Sequence, residues 1–182
     1  VFQSNATNLV EGTSPANGGV FVRDIESATT YWASGAAADD EIVANAFIEP
    51  AISANGRVFF TASDNAGNWR ILSYDSQSGA STLVASNILL STLLTTSADG
   101  QFVAVATSNS ISVVNVETGS AEIVCGIGVM PELKSWRSAV ISANGQRVVF
   151  IGETNVDGPS SVFVYDRVAG TLPEGTPYTA ND

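Results

Sequence analysis

Ala51-Ile-Ser-Ala-Asn-Gly-Arg-Val-Phe-Phe60 returns, almost letter for letter, as Val140-Ile-Ser-Ala-Asn-Gly-Gln-Arg-Val-Val-Phe150. A looser copy, Thr95-Thr-Ser-Ala-Asp-Gly-Gln-Phe-Val-Ala-Val105, stands between them, and Gly56, Gly100 and Gly145 set the copies 44 and 45 residues apart. Asn-Gly or Asp-Gly between two apolar runs predicts a tight hairpin, because the turn needs a positive φ. Each copy therefore reads as a strand a, a turn and a strand b.

A second motif follows each of these. Ile71-Leu-Ser-Tyr-Asp-Ser-Gln-Ser-Gly79 matches Ile111-Ser-Val-Val-Asn-Val-Glu-Thr-Gly119 and Val162-Phe-Val-Tyr-Asp-Arg-Val-Ala-Gly170, with a fourth copy at Val20-Phe-Val-Arg-Asp-Ile-Glu-Ser-Ala28. Each is a strand c closed by Asp24, Asp75, Asn115 or Asp166. Such residues cap a turn by accepting backbone N–H groups two residues on. That structural role outweighs a ring of catalytic carboxylates, since Asn115 fills the same place. The β-rich runs Thr29 to Trp32, Ser81 to Ala85 and Ala121 to Cys125 then supply strand d. In the second unit the four strands are expected near Glu49–Ser53, Arg57–Ala62, Trp69–Asp75 and Ala80–Ala85.

A four-strand unit repeated at this spacing predicts a β-propeller, whose sheets bury both faces against their neighbours. The runs Val58-Phe-Phe60, Phe102-Val-Ala-Val105 and Val148-Val-Phe-Ile151 are apolar on both faces, as sandwiched strands require. No segment carries a helical period. The fold class expected is all-β: a propeller of about four four-stranded antiparallel blades, standing alone or within a larger propeller or tandem array. As one domain over residues 1–182, blade 1 (strands b to d) covers 1–34, blade 2 46–86, blade 3 89–126 and blade 4 136–176. A lone strand a remains at 177–182.

These motifs resemble the TolB-like β-propeller repeat of secreted bacterial propeller proteins. Its blades carry a Ser-x-Asp-Gly-Arg turn, then Val-x-Phe, then a tyrosine–aspartate strand end. The likeness spans nearly the whole chain. Two turns depart from it with Asn55-Gly56 and Asn144-Gly145, and Gln101 and Gln146 stand where the pattern has arginine. The resemblance implies a secreted or periplasmic location. It specifies fold far more closely than function, because the family serves protein binding, carbohydrate-related proteins and peptidase gating.

The ends carry partial blades. Val1-Phe-Gln-Ser4 aligns with Val58-Phe-Phe-Thr61, a strand b without its a, and Tyr178-Thr-Ala-Asn-Asp182 aligns with Ile52-Ser-Ala-Asn-Gly56, a strand a without its blade. The two are expected to pair, within one chain or between copies. Strand d of the last blade, at Leu172-Pro173-Glu174, is compressed or missing. A chain opening at Val1 without a methionine reads as a processed product or a section of a longer one.

Charge and composition narrow the function. Eighteen carboxylates against seven basic residues give a net charge of −11. That field repels nucleic-acid phosphates and anionic headgroups, so neither nucleic acid nor membrane insertion is expected. No apolar run approaches the roughly 20 residues of a spanning helix. Cys125 is the one cysteine, so an internal disulfide is impossible. Histidine is absent, which removes Ser-His-Asp and Cys-His catalysis and histidine metal sites. Paired-carboxylate chemistry is disfavoured for want of a motif.

The resemblance places the ligand face where the b–c and d–a loops meet. Those segments hold Glu11, Asp39, Asp40, Glu41, Glu49, Asp64, Glu132, Glu153 and Asp157. The residues expected to contact a partner are Glu11, Asp39, Asp40, Glu41, Glu132, Trp136 and Arg137. The last three come from Glu132-Leu-Lys-Ser-Trp-Arg137, the only mixed-charge aromatic cluster. Asp64, Asn65, Asn68 and Asp157 offer hard oxygen donors for calcium without completing a known calcium loop, and no other cofactor is expected. Trp32, Trp69 and Trp136 either fill space between blades or stack on a sugar.

The function expected is a non-catalytic, extracytoplasmic binding or scaffolding module. Its acidic loop face would take a protein, cation or glycan partner. One alternative is a structural repeat unit of a filament or multi-propeller assembly, self-associating through its terminal strands. Another is an accessory domain of a secreted hydrolase.

Overall fold

A computed structural model of the chain describes residues 1–12, 18–35, 47–63, 66–88, 91–126, 133–153 and 160–170. It divides into two compact units, Val1–Leu89 and Leu90–Asp182. Each unit contains two antiparallel sheets.

In the first unit, β1 (Phe2–Ser4), β2 (Gly19–Asp24) and β3 (Thr29–Trp32) form one sheet in that order. β4 (Phe47–Ile52), β5 (Arg57–Ser63), β6 (Trp69–Asp75) and β7 (Ser81–Ile88) form a four-stranded meander. The second unit begins with another meander of β8 (Ser91–Thr96), β9 (Phe102–Thr107), β10 (Ser110–Asn115) and β11 (Ala121–Gly126). It continues with a sheet of β12 (Ser135–Ile141), β13 (Arg147–Glu153) and β14 (Ser160–Asp166). Against the strands expected for the second blade, β4 begins two residues earlier and ends one earlier, β5 ends one later, β6 coincides, and β7 begins one later and ends three later. Among the described residues the first and last sheets have three strands each. Residues 171–182, with the expected terminal strand and the Leu172–Glu174 segment, lie outside the described ones, as does any pairing of the two ends.

Within each unit the two sheets pack face to face. Val20, Val22 and Ala33 of the first sheet meet Val58, Phe60, Leu72 and Tyr74 of the second. In the other unit Ala104, Ala106, Ile111 and Val113 of the third sheet meet Ala139, Ile141, Val148 and Phe150 of the fourth, with Cys125 buried beside them. Each large apolar side chain so buried contributes roughly 1.5–3 kcal/mol. Thr95 adds a polar tie between these sheets, its Oγ1 donating to Ala139 O and accepting from Ile141 N–H. It braces β12 where Ser138, at φ 56°, bulges out of register.

The strand register corrects two alignments made by letter. Phe2 pairs with Phe21 as Phe60 pairs with Leu72 and Phe150 with Phe163, so Phe2 corresponds to Phe60 and not to Phe59. The aromatic stack repeats too: Phe2 on Phe21 at 5.8 Å and Phe150 on Phe163 at 5.4 Å. A slip of one residue exchanges the two faces of a strand, and burying the phenyl rings selects the register. Likewise Gln146 does not stand in the place of Arg57. The last a–b turn is one residue longer, so Ser142 N–H reaches Arg147 O where Ser53 N–H reaches Arg57 O. Arg147 then pairs with Asp166 as Arg57 pairs with Asp75, while Phe102 pairs with Asn115.

The repeated letters each have a bond to make. Ser97 Oγ donates to Asp99 Oδ1 at 2.6 Å and accepts from Phe102 N–H at 3.0 Å, and Ser142 does the same with Asn144 and Arg147. Ser53, Asn55 and Arg57 repeat the pattern. At the c–d turns Asp24, Asp75, Asn115 and Asp166 each accept two backbone N–H groups through Oδ1. Four residues beyond each stands Ala28, Gly79, Gly119 or Gly170, all at positive φ.

Ala28, at φ 53°, is therefore the strained member of that set, since the left-handed region costs an L-residue about 1–2 kcal/mol. At Gly79 a methyl group would meet open space, whereas a Cβ on Gly145 would lie 2.5 Å from the Phe102 ring. Gly79→Ala should thus cost about 1 kcal/mol, the backbone contribution alone. Gly145→Ala should cost clearly more, about 2–4 kcal/mol, by adding a steric clash. Ala28→Gly should raise stability slightly. Urea unfolding of the three variants checks the ranking, and equal losses at Gly79 and Gly145 would contradict it.

Candidate functional site

The strand ends of the fourth sheet gather the mixed-charge cluster singled out from sequence. Ser135 on β12, Glu153 on β13 and Ser160 on β14 form one cross-strand row. Arg137 lies one row inward on the same face, opposite Ile151. Glu153 is the hub. Its Oε2 accepts from Ser135 Oγ at 2.7 Å, and its Oε1 accepts from Ser160 Oγ at 2.9 Å and from Arg137 Nη1 at 3.0 Å. Arg137 Nη2 donates to Ser160 Oγ at 2.9 Å, and Lys134 N–H donates to Glu153 O at 2.7 Å. The Ser135 hydroxyl first, then that of Ser160 and the Arg137 charge, hold the Glu153 carboxyl below its usual range, against the opposing effect of burial.

Such a carboxylate is ionised and held by three side-chain donors. It lacks the raised pKa of a general acid. Sequence reasoning counted Glu153 among nine loop carboxylates without singling it out, because only the register reveals that three strands converge on it. Glu49, counted with it, belongs to strand β4.

Trp136 points to the opposite face. It packs against the core shared by the third and fourth sheets, and its indole N–H donates to Thr107 O at 3.2 Å. Trp32 similarly donates to Ser34 Oγ at 2.9 Å. Trp136 thus takes the space-filling alternative to sugar stacking, whereas Trp32 is half-buried on the face of Phe21, away from the core its sheet shares with the second. Arg137 keeps 59% of its side chain exposed and is the member of the cluster a partner can reach.

In the other unit, at the turn end of the second sheet, lies an open polar depression of about 360 Å³ lined by Asn55, Arg57, Asp75 and Gln77. Arg57 crosses it to donate to Ser73 Oγ at 3.1 Å and lies 5.7 Å from the Phe59 ring centroid. The matching Arg147 instead forms an ion pair with Asp166 at 3.5 Å.

Solved structures share the fold of this chain. TolB from Acinetobacter baumannii matches over 90% of this chain and 38% of its own, at 17% identity and a TM-score of 0.60. The fold is a TolB-like β-propeller. The propeller domain of the Trilobed protease from Pyrococcus furiosus matches over 74% of this chain and 43% of its own, at 17% identity and a TM-score of 0.55. An oligogalacturonate lyase in complex with manganese matches over 71% and 36%, at 14% identity and a TM-score of 0.53. The chain therefore spans about two fifths of the first two propellers it resembles. No family model matches the sequence, and no curated protein matches it either.

In this propeller Glu11 is exposed in a turn after β1, and Asn68 is exposed just before β6. The remaining expected contact and calcium residues, Asp39, Asp40, Glu41, Asp64, Asn65, Glu132 and Asp157, lie outside the described residues. Among the described residues no three of His, Cys, Asp and Glu gather as a metal site, and no helix is long and apolar enough to cross a membrane.

The turn carboxylates have a measurable consequence. Backbone N–H bonds from Gln77 and Ser78 depress the Asp75 carboxyl below its ordinary 3.8, and bonds from Ala169 and Val168 do the same for Asp166. For Asp24 the leading cause is Ser27, and for Asp99 it is the Ser97 hydroxyl. A depressed folded pKa gives stability that is fully present above 3.8 and is lost as pH falls through the lower folded value. Melting temperature should therefore hold from neutral pH to about pH 5 and drop steeply below about pH 4. Asp75→Asn combined with Asp166→Asn, copying Asn115, should melt near the parent at neutral pH and lose less on acidification. Parallel acid profiles for parent and variant would show that these turns do not carry the effect.

Proposed function

We propose that this propeller is a non-catalytic, extracytoplasmic binding module whose acidic loops engage a basic protein surface. The observation that supports it most is the division of its charge. The described carboxylates at strand ends are occupied by their own turns or by arginines. By sequence, the acidity of the 39–41 stretch and of Glu11, Glu132 and Asp157 falls between the strand motifs. A chain of net charge −11 attracts cationic partners and accelerates their encounter. The absence of histidine from the sequence and the low pKa of Glu153 fit binding better than proton transfer.

The test uses a labelled lysine- and arginine-rich peptide followed by fluorescence anisotropy at low and high salt. Binding should weaken with salt, and Asp39→Asn/Asp40→Asn/Glu41→Gln should lower affinity by about tenfold with an unchanged melt. Binding insensitive to both salt and that variant removes the reading. A calcium-dependent rise in melting temperature that Asp157→Asn abolishes would favour a cation as the partner instead.

A second reading, an accessory domain of a secreted hydrolase, draws support from the protease propeller among the similar structures. In that case the loops would bind a domain of the same enzyme.

A further inference from the structure

The chain contains one tetrapeptide twice, Ser53-Ala-Asn-Gly56 and Ser142-Ala-Asn-Gly145, each in an a–b turn. Asparagine before glycine is the pair most prone to lose its side-chain amide, because glycine has no side chain to shield its nitrogen. That nitrogen, once water or hydroxide has taken its proton, bonds to the asparagine Cγ. The bond from Cγ to the side-chain nitrogen breaks, ammonia leaves, and a cyclic succinimide remains. Water then opens the ring at either carbonyl, giving aspartate or isoaspartate.

Inside the two turns the restraints on this reaction are alike. Gly56 N–H donates to Ser53 O at 3.0 Å and Gly145 N–H to Ser142 O at 2.9 Å. Asn55 Oδ1 accepts from Ser53 Oγ and Arg57 N–H, as Asn144 Oδ1 accepts from Ser142 Oγ and Gln146 N–H. Attack requires these bonds to open, so that the nitrogen is released and Cγ can rotate onto it. The turns differ in what holds them from outside. Around Gly145, Ala143 O accepts from Ala98 N–H at 2.9 Å and Gln146 O from Arg167 N–H at 2.8 Å. Gly145 O accepts from Arg167 Nη1, and the glycine is seated against the Phe102 ring. Gly56 O accepts a longer bond, 3.3 Å, from Ser76 Oγ of its own sheet. Asn55 is exposed and lines the open depression with Arg57, Asp75 and Gln77. The second blade is internal to the chain, with one blade before it and one after.

We propose that Asn55 is a site of spontaneous deamidation, the fold leaving Asn55-Gly56 reactive while holding the identical Asn144-Gly145 back. The third sheet shows that the aspartate product fits. Asp99 Oδ1 accepts from Ser97 Oγ at 2.6 Å and from Gln101 N–H at 3.0 Å, with Gly100 at φ 68° where Gly56 has 83°. Conversion alters the depression, where Arg57 and Asp75 balance, by adding a second carboxylate. Isoaspartate instead inserts a main-chain carbon between Ser53 and Arg57, whose mutual bonds set the register of β4 and β5, and so loosens the turn.

Peptide mass mapping of the folded protein, held at mildly alkaline pH and sampled over time, tests this. Conversion at 55 should run about tenfold or more ahead of conversion at 144, since each outside bond that must also break lowers the open population of that turn. In urea the two identical tetrapeptides should convert at matching rates. Arg167→Ala removes the guanidinium from Gly145 O and from the Phe102 ring, and should speed 144 while leaving 55 unchanged. Should that variant fail to melt like the parent, amide hydrogen exchange on the parent reads the same difference, Gly56 N–H exchanging ahead of Gly145 N–H. Asn55→Asp, the product made directly, should melt close to the parent. Equal conversion at the two sites in the folded chain, or faster conversion at 144, overturns the proposal. A folded chain that keeps its amide at 55 while the urea-unfolded chain loses it overturns the proposal equally.

Discussion

A strand presents alternate side chains to opposite faces, so a sheet whose strands are apolar throughout has two surfaces to remove from water. That constraint organises this molecule. β5 and β9 place Val58, Phe60, Val103 and Val105 on one face and Phe59, Ala104 and Ala106 on the other, and all of them are buried. A single such sheet has no stable existence, and repetition is the economical answer because each copy covers the next. The turns then have one task, to return the chain at the right register. A Ser-x-Asx-Gly turn does this mainly through its own side-chain bonds, to which the turns of the third and fourth sheets add one tie, Ala98 N–H to Ala143 O at 2.9 Å.

This explains which features were legible in the sequence. Turn chemistry is local: Ser97, Asp99 and Gly100 lie within four residues and bond to one another, so their letters disclose the turn, its glycine and its position. The c–d turns are equally local, and the capping role of Asp75 and Asp166 followed from the amide at Asn115. Register across strands is not local. Reading Val1-Phe2 as Val58-Phe59 respected the letters and misplaced Phe2 by one residue, because what selects its face is contact with Phe21 nineteen positions on. The same holds for Arg147, where one extra residue in the turn moves the arginine's partner out of letter alignment.

The cluster around Glu153 was the least legible part. Its four side chains come from three strands, and no spacing in the sequence connects Ser135 to Ser160. What sequence did supply was the concentration of charge and aromatic residues in Glu132–Arg137. The structure divides that hexapeptide by face, with Trp136 in the core and Arg137 toward water. Alternation turned an apparent aromatic–cationic patch into two separate roles. A contact residue inferred from composition needs its strand parity before it can be assigned to a surface.

Arginine is scarce in this chain, and its placement follows the same logic. At its turn end Arg147 neutralises the capping aspartate of its own sheet, whereas Arg57 in the matching place reaches Ser73. In the third sheet that place is taken by Phe102, opposite the neutral Asn115, so no carboxylate is left to be balanced. The ring is used instead from the neighbouring sheet. Arg167 stacks over it at 4.3 Å, bonds Glu122 at 2.8 Å and donates to Gly145 O. Gly145 closes the fit, since any larger residue would occupy the ring's position. Loss of one charge pair is therefore coupled to gain of a cation–π bridge between sheets, a contact worth more where it is partly withdrawn from water. Sheet-to-sheet cohesion at the turn end of this unit rests on that exchange, while at the opposite end it rests on the Trp136 bond to Thr107. Between these two clamps the apolar rows need only be complementary in shape, which is why alanine and valine suffice at 104, 106 and 113 where the second sheet uses phenylalanine at 59.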